Sequence, residues 1–143
     1  MGKINWMRLL IGGLVAGVVI NVLQFAASAL LVRPSLSATL KALGFSLKET
    51  PGTMALWAVL YFLLGILFVW LYASIRPRYG AGPKTAVVAG VAAGVLLLIP
   101  DVGWGSILGQ IPARVWTIDA GSNLVIAVVA TLLGAWVYKE QAP

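Results

Sequence analysis

Between Thr53 and Ile75 the chain runs for 23 residues, TMALWAVLYFLLGILFVWLYASI, without a charge, and then meets Arg76-Pro77-Arg78. At a helical rise of ~1.5 Å per residue this stretch covers ~34 Å, enough to cross a hydrocarbon core of ~30 Å with some tilt. A segment placed in lipid has to satisfy its backbone internally, so the run reads as a membrane-spanning α-helix ending on a basic anchor.

The rest of the chain fits the same class. Soluble domains are about one quarter charged, whereas here 10% of residues are charged and the mean hydropathy is +0.99. Several spans with short connections account for the whole length, and one integral membrane domain, residues 1–143, is expected. Cysteine and histidine are both absent, which removes disulfides, thiol catalysis, the usual zinc sites, histidine-ligated haem and the commonest general base. Ser28, Ser74, Ser106 and Ser122 therefore have no histidine to activate them, and none stands in a hydrolase elbow. Gly80-Ala81-Gly82-Pro83-Lys84 lacks the pattern of a phosphate loop. No enzyme, cofactor or metal site is expected. The net charge of +6 comes from basic residues scattered among apolar runs, which points to anionic headgroups rather than to nucleic acid.

A first span is expected over residues 7–32: Lys3, Trp6 and Arg8 precede an uncharged run from Leu9 to Val32. Ala27-Ser28-Ala29 would suit a signal-peptide cleavage site, but the run is longer than a signal core, so an uncleaved helix is favoured. In the connection from Arg33 to Gly52, Leu36, Leu40, Leu43 and Leu47 recur at helical spacing, with Lys41 and Lys48 on the polar side. Pro34 is expected to punctuate its entry, Ser35 to cap it and Gly44 to end it. The segment reads as a short interfacial helix or as a packed connection.

The second span is expected over 53–75, and Arg76 to Lys84 should then form a tight turn that no regular helix crosses. Only 15 residues, Thr85 to Ile99, precede Pro100-Asp101, so the third span, 84–104, must continue through the proline or end as a re-entrant segment. The fourth, 117–138, likewise has a 15-residue apolar run, Leu124 to Tyr138, which draws Ser122, Asn123 and Asp119 toward the bilayer, with Lys139-Glu140 closing it in water. The stretch from Asp101 to Asp119, with Trp104, Ile107, Leu108, Ile111, Pro112, Arg114 and Trp116, is expected to be a semi-apolar connection folded back on the helices. The fold class is thus all-α, a four-transmembrane-helix bundle with a short interfacial helix between the first two spans. Six basic residues (Lys3, Arg8, Arg76, Arg78, Lys84, Lys139) fall on the side of the termini, and four (Arg33, Lys41, Lys48, Arg114) fall opposite with Glu49, Asp101 and Asp119. The positive-inside rule then places both termini in the cytoplasm, with Arg76, Arg78 and Lys84 as the cytoplasmic anchor.

Small residues recur at spacing four as Gly13 and Gly17, Gly90 and Gly94, and Ala130 and Gly134, a pattern that lets helix backbones approach within a bundle or between copies of a chain. Gly65 stands alone in an aromatic-rich second span, which is expected to present more of its surface to lipid or to a partner.

Polar groups within spans carry more information, because hydrocarbon penalises them unless they are paired. Asn21, Gln24 and Ser28 share one helical face. Counted from the basic ends, Asn21 lies ~20 Å up the first helix and Asn123 ~22 Å up the fourth. A polar cluster of Asn21, Gln24, Asn123 and Asp119, with Arg114 or Asp101 at its rim, is expected in the outer half, serving either as interhelical hydrogen bonding or as a solute or ion site.

Val69-Trp70-Leu71-Tyr72-Ala73-Ser74-Ile75-Arg76-Pro77-Arg78-Tyr79-Gly80-Ala81-Gly82-Pro83-Lys84-Thr85, together with Gly134-Ala135-Trp136-Val137-Tyr138-Lys139-Glu140, resembles a group of small uncharacterised bacterial membrane proteins. An Asn-x-x-(acid)-Phe element of that group is matched by Asn21-Val22-Leu23-Gln24-Phe25, with neutral Gln24 where an acid is expected. The resemblance implies a four-helix fold in a bacterial inner membrane and no activity. The readings that follow are a non-enzymatic accessory or assembly protein, working alone or in a homo-oligomer or larger membrane complex, or a homo-oligomeric transporter or channel.

Overall fold

The computed structural model describes residues 4–45, 50–109 and 112–139, with side chains at all of these except 104–108. Lys3, Leu47, Lys48, Glu49, Ile111 and Glu140 lie outside the described residues, as do the side chains of Trp104, Ile107 and Leu108. The described chain is helical: α1 (Trp6–Ala27), a π-helical turn (Ser28–Val32), α2 (Arg33–Ala42), α3 (Pro51–Tyr79), α4 (Pro83–Leu108) and α5 (Ala113–Val137). Four helices are long and apolar enough to cross a membrane. Together they form the expected four-span bundle.

The helix starts are set by local chemistry. The Asn5 side chain accepts the Arg8 N–H at 3.1 Å and opens α1. Thr50 and Thr53 cap each other reciprocally ahead of α3: the Thr53 N–H donates to Thr50 Oγ1 at 3.2 Å, and the Thr50 N–H donates to Thr53 Oγ1 at 3.0 Å. Pro51 and Pro83 stand in the first turns of α3 and α4, where an N–H would have no helical partner.

Proline interrupts the helices less than the sequence leads one to expect. Pro34 does not separate a helix from the first span, because Trp6–Ala42 is continuous over 37 residues. The Arg33 N–H reaches five residues back to the Ser28 carbonyl, and the widened turn makes room for a ring that would otherwise strike the Leu30 carbonyl. With no helix start at this point, Ser35 caps nothing; its carbonyl accepts the Thr39 hydroxyl at 3.0 Å. Gly44 ends α2 as expected, at φ 78°, with the Phe45 N–H bonded to Leu40 O and its own N–H to Lys41 O.

Pro77 likewise sits inside α3, which runs on to Tyr79 before Gly80 stops it at φ 82°. Only the bond to the Ala73 carbonyl is forfeited, and burial of Val69, Tyr72 and Ala73 holds the preceding turn helical. The reversal is therefore confined to Gly80-Ala81-Gly82. Pro100 is also inside its helix, and α4 continues to Leu108. The stretch from Asp101 to Asp119 is then no folded-back connection: each aspartate lies within a helix, and the link between α4 and α5 is short.

Helix α1 packs on α3 and α5, and α4 packs on α5, while α3 meets α4 and α5 more sparingly. A Cβ on Gly65 would strike the backbone of Gly13 and Gly17, and one on Gly12 would come to 2.6 Å from the Gly134 carbonyl oxygen. Gly90 faces the Val128 Cα and Gly94 faces Leu124, so these two glycines carry the α4/α5 seam. Ala130 is fully buried. All six expected packing residues lie at helix contacts. Gly12 and Gly65 complete the seams they belong to.

Candidate functional site: a polar layer across the bundle

The layer grows from three helices. Gln24 on α1 donates from Nε2 to Asn123 Oδ1 on α5 at 2.7 Å, and Asn123 donates from Nδ2 to Asp101 Oδ2 on α4 at 3.0 Å. An amide NH₂ carries two donors, and Asp119 stands one turn before Asn123 on the same helix. One asparagine thus stands close to two carboxylates, Asp101 through its hydrogen bond and Asp119 on its own helix. On the fourth helix, Tyr61 of α3 stands beside Gln24 and stacks on Trp57 with ring centroids 5.8 Å apart.

Of the expected cluster, the fold brings together Gln24, Asn123, Asp101 and Asp119, and it moves Asp101 from the rim into the hydrogen-bonded core. Asn21 lies close by but turns to α3: its Nδ2 donates to the Gly17 carbonyl at 2.9 Å and to the Ala58 carbonyl at 3.4 Å. Arg114 is exposed near the start of α5, and its guanidinium adds no hydrogen bond to the layer among the described residues. Ser28 shares the α1 face and supplies its carbonyl to the π turn. Tyr61 was not expected. Its signal was depth, since it lies ~22 Å up α3 from Arg76, level with Asn21 and Asn123.

The layer is rich in acceptors. Gln24 Oε1 is buried without a hydrogen-bond partner among the described residues. Two carboxylates, two amides and a phenol form a set that can bind a proton, a small cation or a polar solute. They include no activated nucleophile. Among the described residues no three acidic, histidine or cysteine side chains gather as a metal site would require.

The opposite end of the bundle has the reverse character. Arg76, half-buried, holds its guanidinium carbon 5.6 Å from the centroid of the Tyr138 ring. Tyr138 meets Tyr72 edge-on at 6.1 Å, and the Tyr72 hydroxyl accepts the Gly82 N–H at 3.3 Å. The Thr85 hydroxyl donates to the Gly80 carbonyl at 2.8 Å, which ties the turn to α4. Arg78 and Lys84 are exposed. The expected anchor is therefore divided: two side chains face outward, and Arg76 folds over the bundle end.

No family model matches the chain, and neither a curated protein nor a solved structure is significantly similar to it.

Proposed function

We propose that this chain is a non-enzymatic, multi-pass protein of a bacterial inner membrane that passes or binds an ion or small solute through its polar layer. The observation that carries this reading is the chain of hydrogen bonds from Gln24 through Asn123 to Asp101, with Asp119 beside it, in helices long and apolar enough to span a bilayer. Ionisable side chains at such depth are costly and usually serve transport or binding. The first span carries neutral Gln24; the acids of this layer come from α4 and α5 instead.

The test is reconstitution in liposomes, with luminal pH followed under an imposed membrane potential, with and without a sodium gradient. Protein-dependent flux that Asp119→Asn and Asn123→Leu abolish supports the reading. An absence of flux in the wild type, together with a loss of stability in Asn123→Leu, makes the layer interhelical glue and overturns it.

A second reading, an accessory or assembly protein, is favoured by α3. It is the least buried span, with 17% of its most apolar window inside the bundle against 39% for α5, and it exposes Trp57 and Trp70. Native mass measurement in mild detergent separates the two, because a defined heteromer that Trp57→Ala disrupts assigns α3 to a partner.

Both termini are placed in the cytoplasm by the count of basic residues. The chain has no cysteine of its own, so Ala81→Cys and Gly109→Cys report topology directly. Ala81→Cys should react with an impermeant maleimide only after the membrane is opened, and Gly109→Cys in intact cells. The converse pattern inverts the topology.

A further inference from the structure

We propose that the turn end of the bundle is a binding site for the phosphate of an anionic glycerophospholipid, held by Arg76, Arg78 and Lys84 beside the hydroxyl of Tyr138. This inference is independent of the role of the polar layer. Tyr138 is 4% exposed and its hydroxyl is buried with no hydrogen-bond partner among the described residues. A buried hydroxyl without a partner is costly, and its neighbours define what would satisfy it. Arg76 lies over the same ring, and a guanidinium only donates.

Helix α4 begins nearby on Pro83, which has no N–H, and without a side-chain cap; the N–H groups of Lys84 and Thr85 in its first turn thus have no side-chain acceptor, and a helix start favours an anion. The Gly82 N–H is already taken by Tyr72 and the Thr85 hydroxyl by Gly80, which fixes the turn without using those two donors. The two described carboxylates, Asp101 and Asp119, are ~25 Å away along their helices. The described basic side chains at this end, Arg76, Arg78 and Lys84, are donors that suit a phosphate oxygen.

Depth selects a lipid as the source of that phosphate. Trp6 opens α1, Tyr79 closes α3 and Trp136 stands at the end of α5; they are 61%, 65% and 84% exposed. Three aromatic side chains ringing one end of a bundle mark the headgroup level. Arg76, Arg78 and Lys84 therefore lie where lipid phosphates are.

Native mass spectrometry of the full chain, released from micelles containing phosphatidylglycerol or phosphatidylcholine, tests the site. One phosphatidylglycerol should be retained in preference to phosphatidylcholine, and excess inorganic phosphate should leave it bound. Arg78→Gln with Lys84→Gln should weaken retention by about fivefold per charge removed. Tyr138→Phe leaves the charge unchanged and should weaken it about tenfold, the value of a hydrogen bond to a charged group. Circular dichroism and the thermal midpoint verify the fold of each variant. If Tyr138→Phe does not fold, Arg76→Lys asks the same question at constant charge and should also weaken retention. Equal retention of phosphatidylcholine overturns the proposal. So does unaltered retention in the constant-charge variant, which would leave only diffuse attraction, and so does displacement by inorganic phosphate, which would make this a free-anion site.

Discussion

The two halves of this bundle are held by opposite means. Toward the turn, α1, α3 and α5 approach so closely at Gly12, Gly13, Gly17, Gly65 and Gly134 that no further carbon fits between their backbones. Toward the other end the helices are joined by side chains that reach across: Gln24 to Asn123, and Asn123 to Asp101. The first half is specified by shape and the second by chemistry. Hydrocarbon explains the pairing of strategies: it offers no hydrophobic drive between spans, so close packing and interhelical hydrogen bonds are what remains.

The largest effect should come from filling the tight half. Gly65→Val places carbon against the backbone of Gly13 and Gly17, where no flexible side chain can yield, and it should cost ~3 kcal/mol. Unfolding in mixed micelles as a function of SDS measures it, and a wild-type midpoint would dissolve the contrast between the halves. Next comes the hub of the layer. Asn123→Leu removes two hydrogen bonds and strands both Gln24 and Asp101, and a loss of ~2 kcal/mol is expected from the same titration.

A double-mutant cycle on Gln24→Ala and Asn123→Ala sharpens the comparison, with an expected coupling of ~0.6 kcal/mol, the average for hydrogen bonds between membrane helices. A coupling near zero would mean that the 2.7 Å bond is without consequence. The smallest effect belongs to Gly121, which has nothing within 4 Å of an added Cβ; Gly121→Ala should change stability by no more than about 0.5 kcal/mol.

The four spans were legible because apolar runs of this length have one stable disposition in lipid. Matched depth was legible as well: counting residues from the basic ends put Gln24 and Asn123 in one layer, and the fold joins them by a hydrogen bond. Azimuth was not. Each span is apolar nearly all round, so periodicity gives no heading, and nothing in the sequence tells Asn21 to choose the Ala58 carbonyl on α3 over Asn123. Proline misled for a related reason. Pro34, Pro77 and Pro100 would each end a helix in water. Here the π turn makes room for Pro34, burial of the preceding turn holds the helix through Pro77, and α4 runs on through Pro100.

The π turn at Ser28–Val32 also sets a phase. A turn closed five residues back holds one residue more than the ladder around it, so every side chain from Arg33 onward is rotated by ~100° from the heading α1 alone would give it. Leu36, Leu40 and Leu43 inherit their direction from that surplus residue. Excising Ala29 would leave composition and hydropathy almost untouched, yet it would turn α2 by nearly a third of a revolution about its own axis.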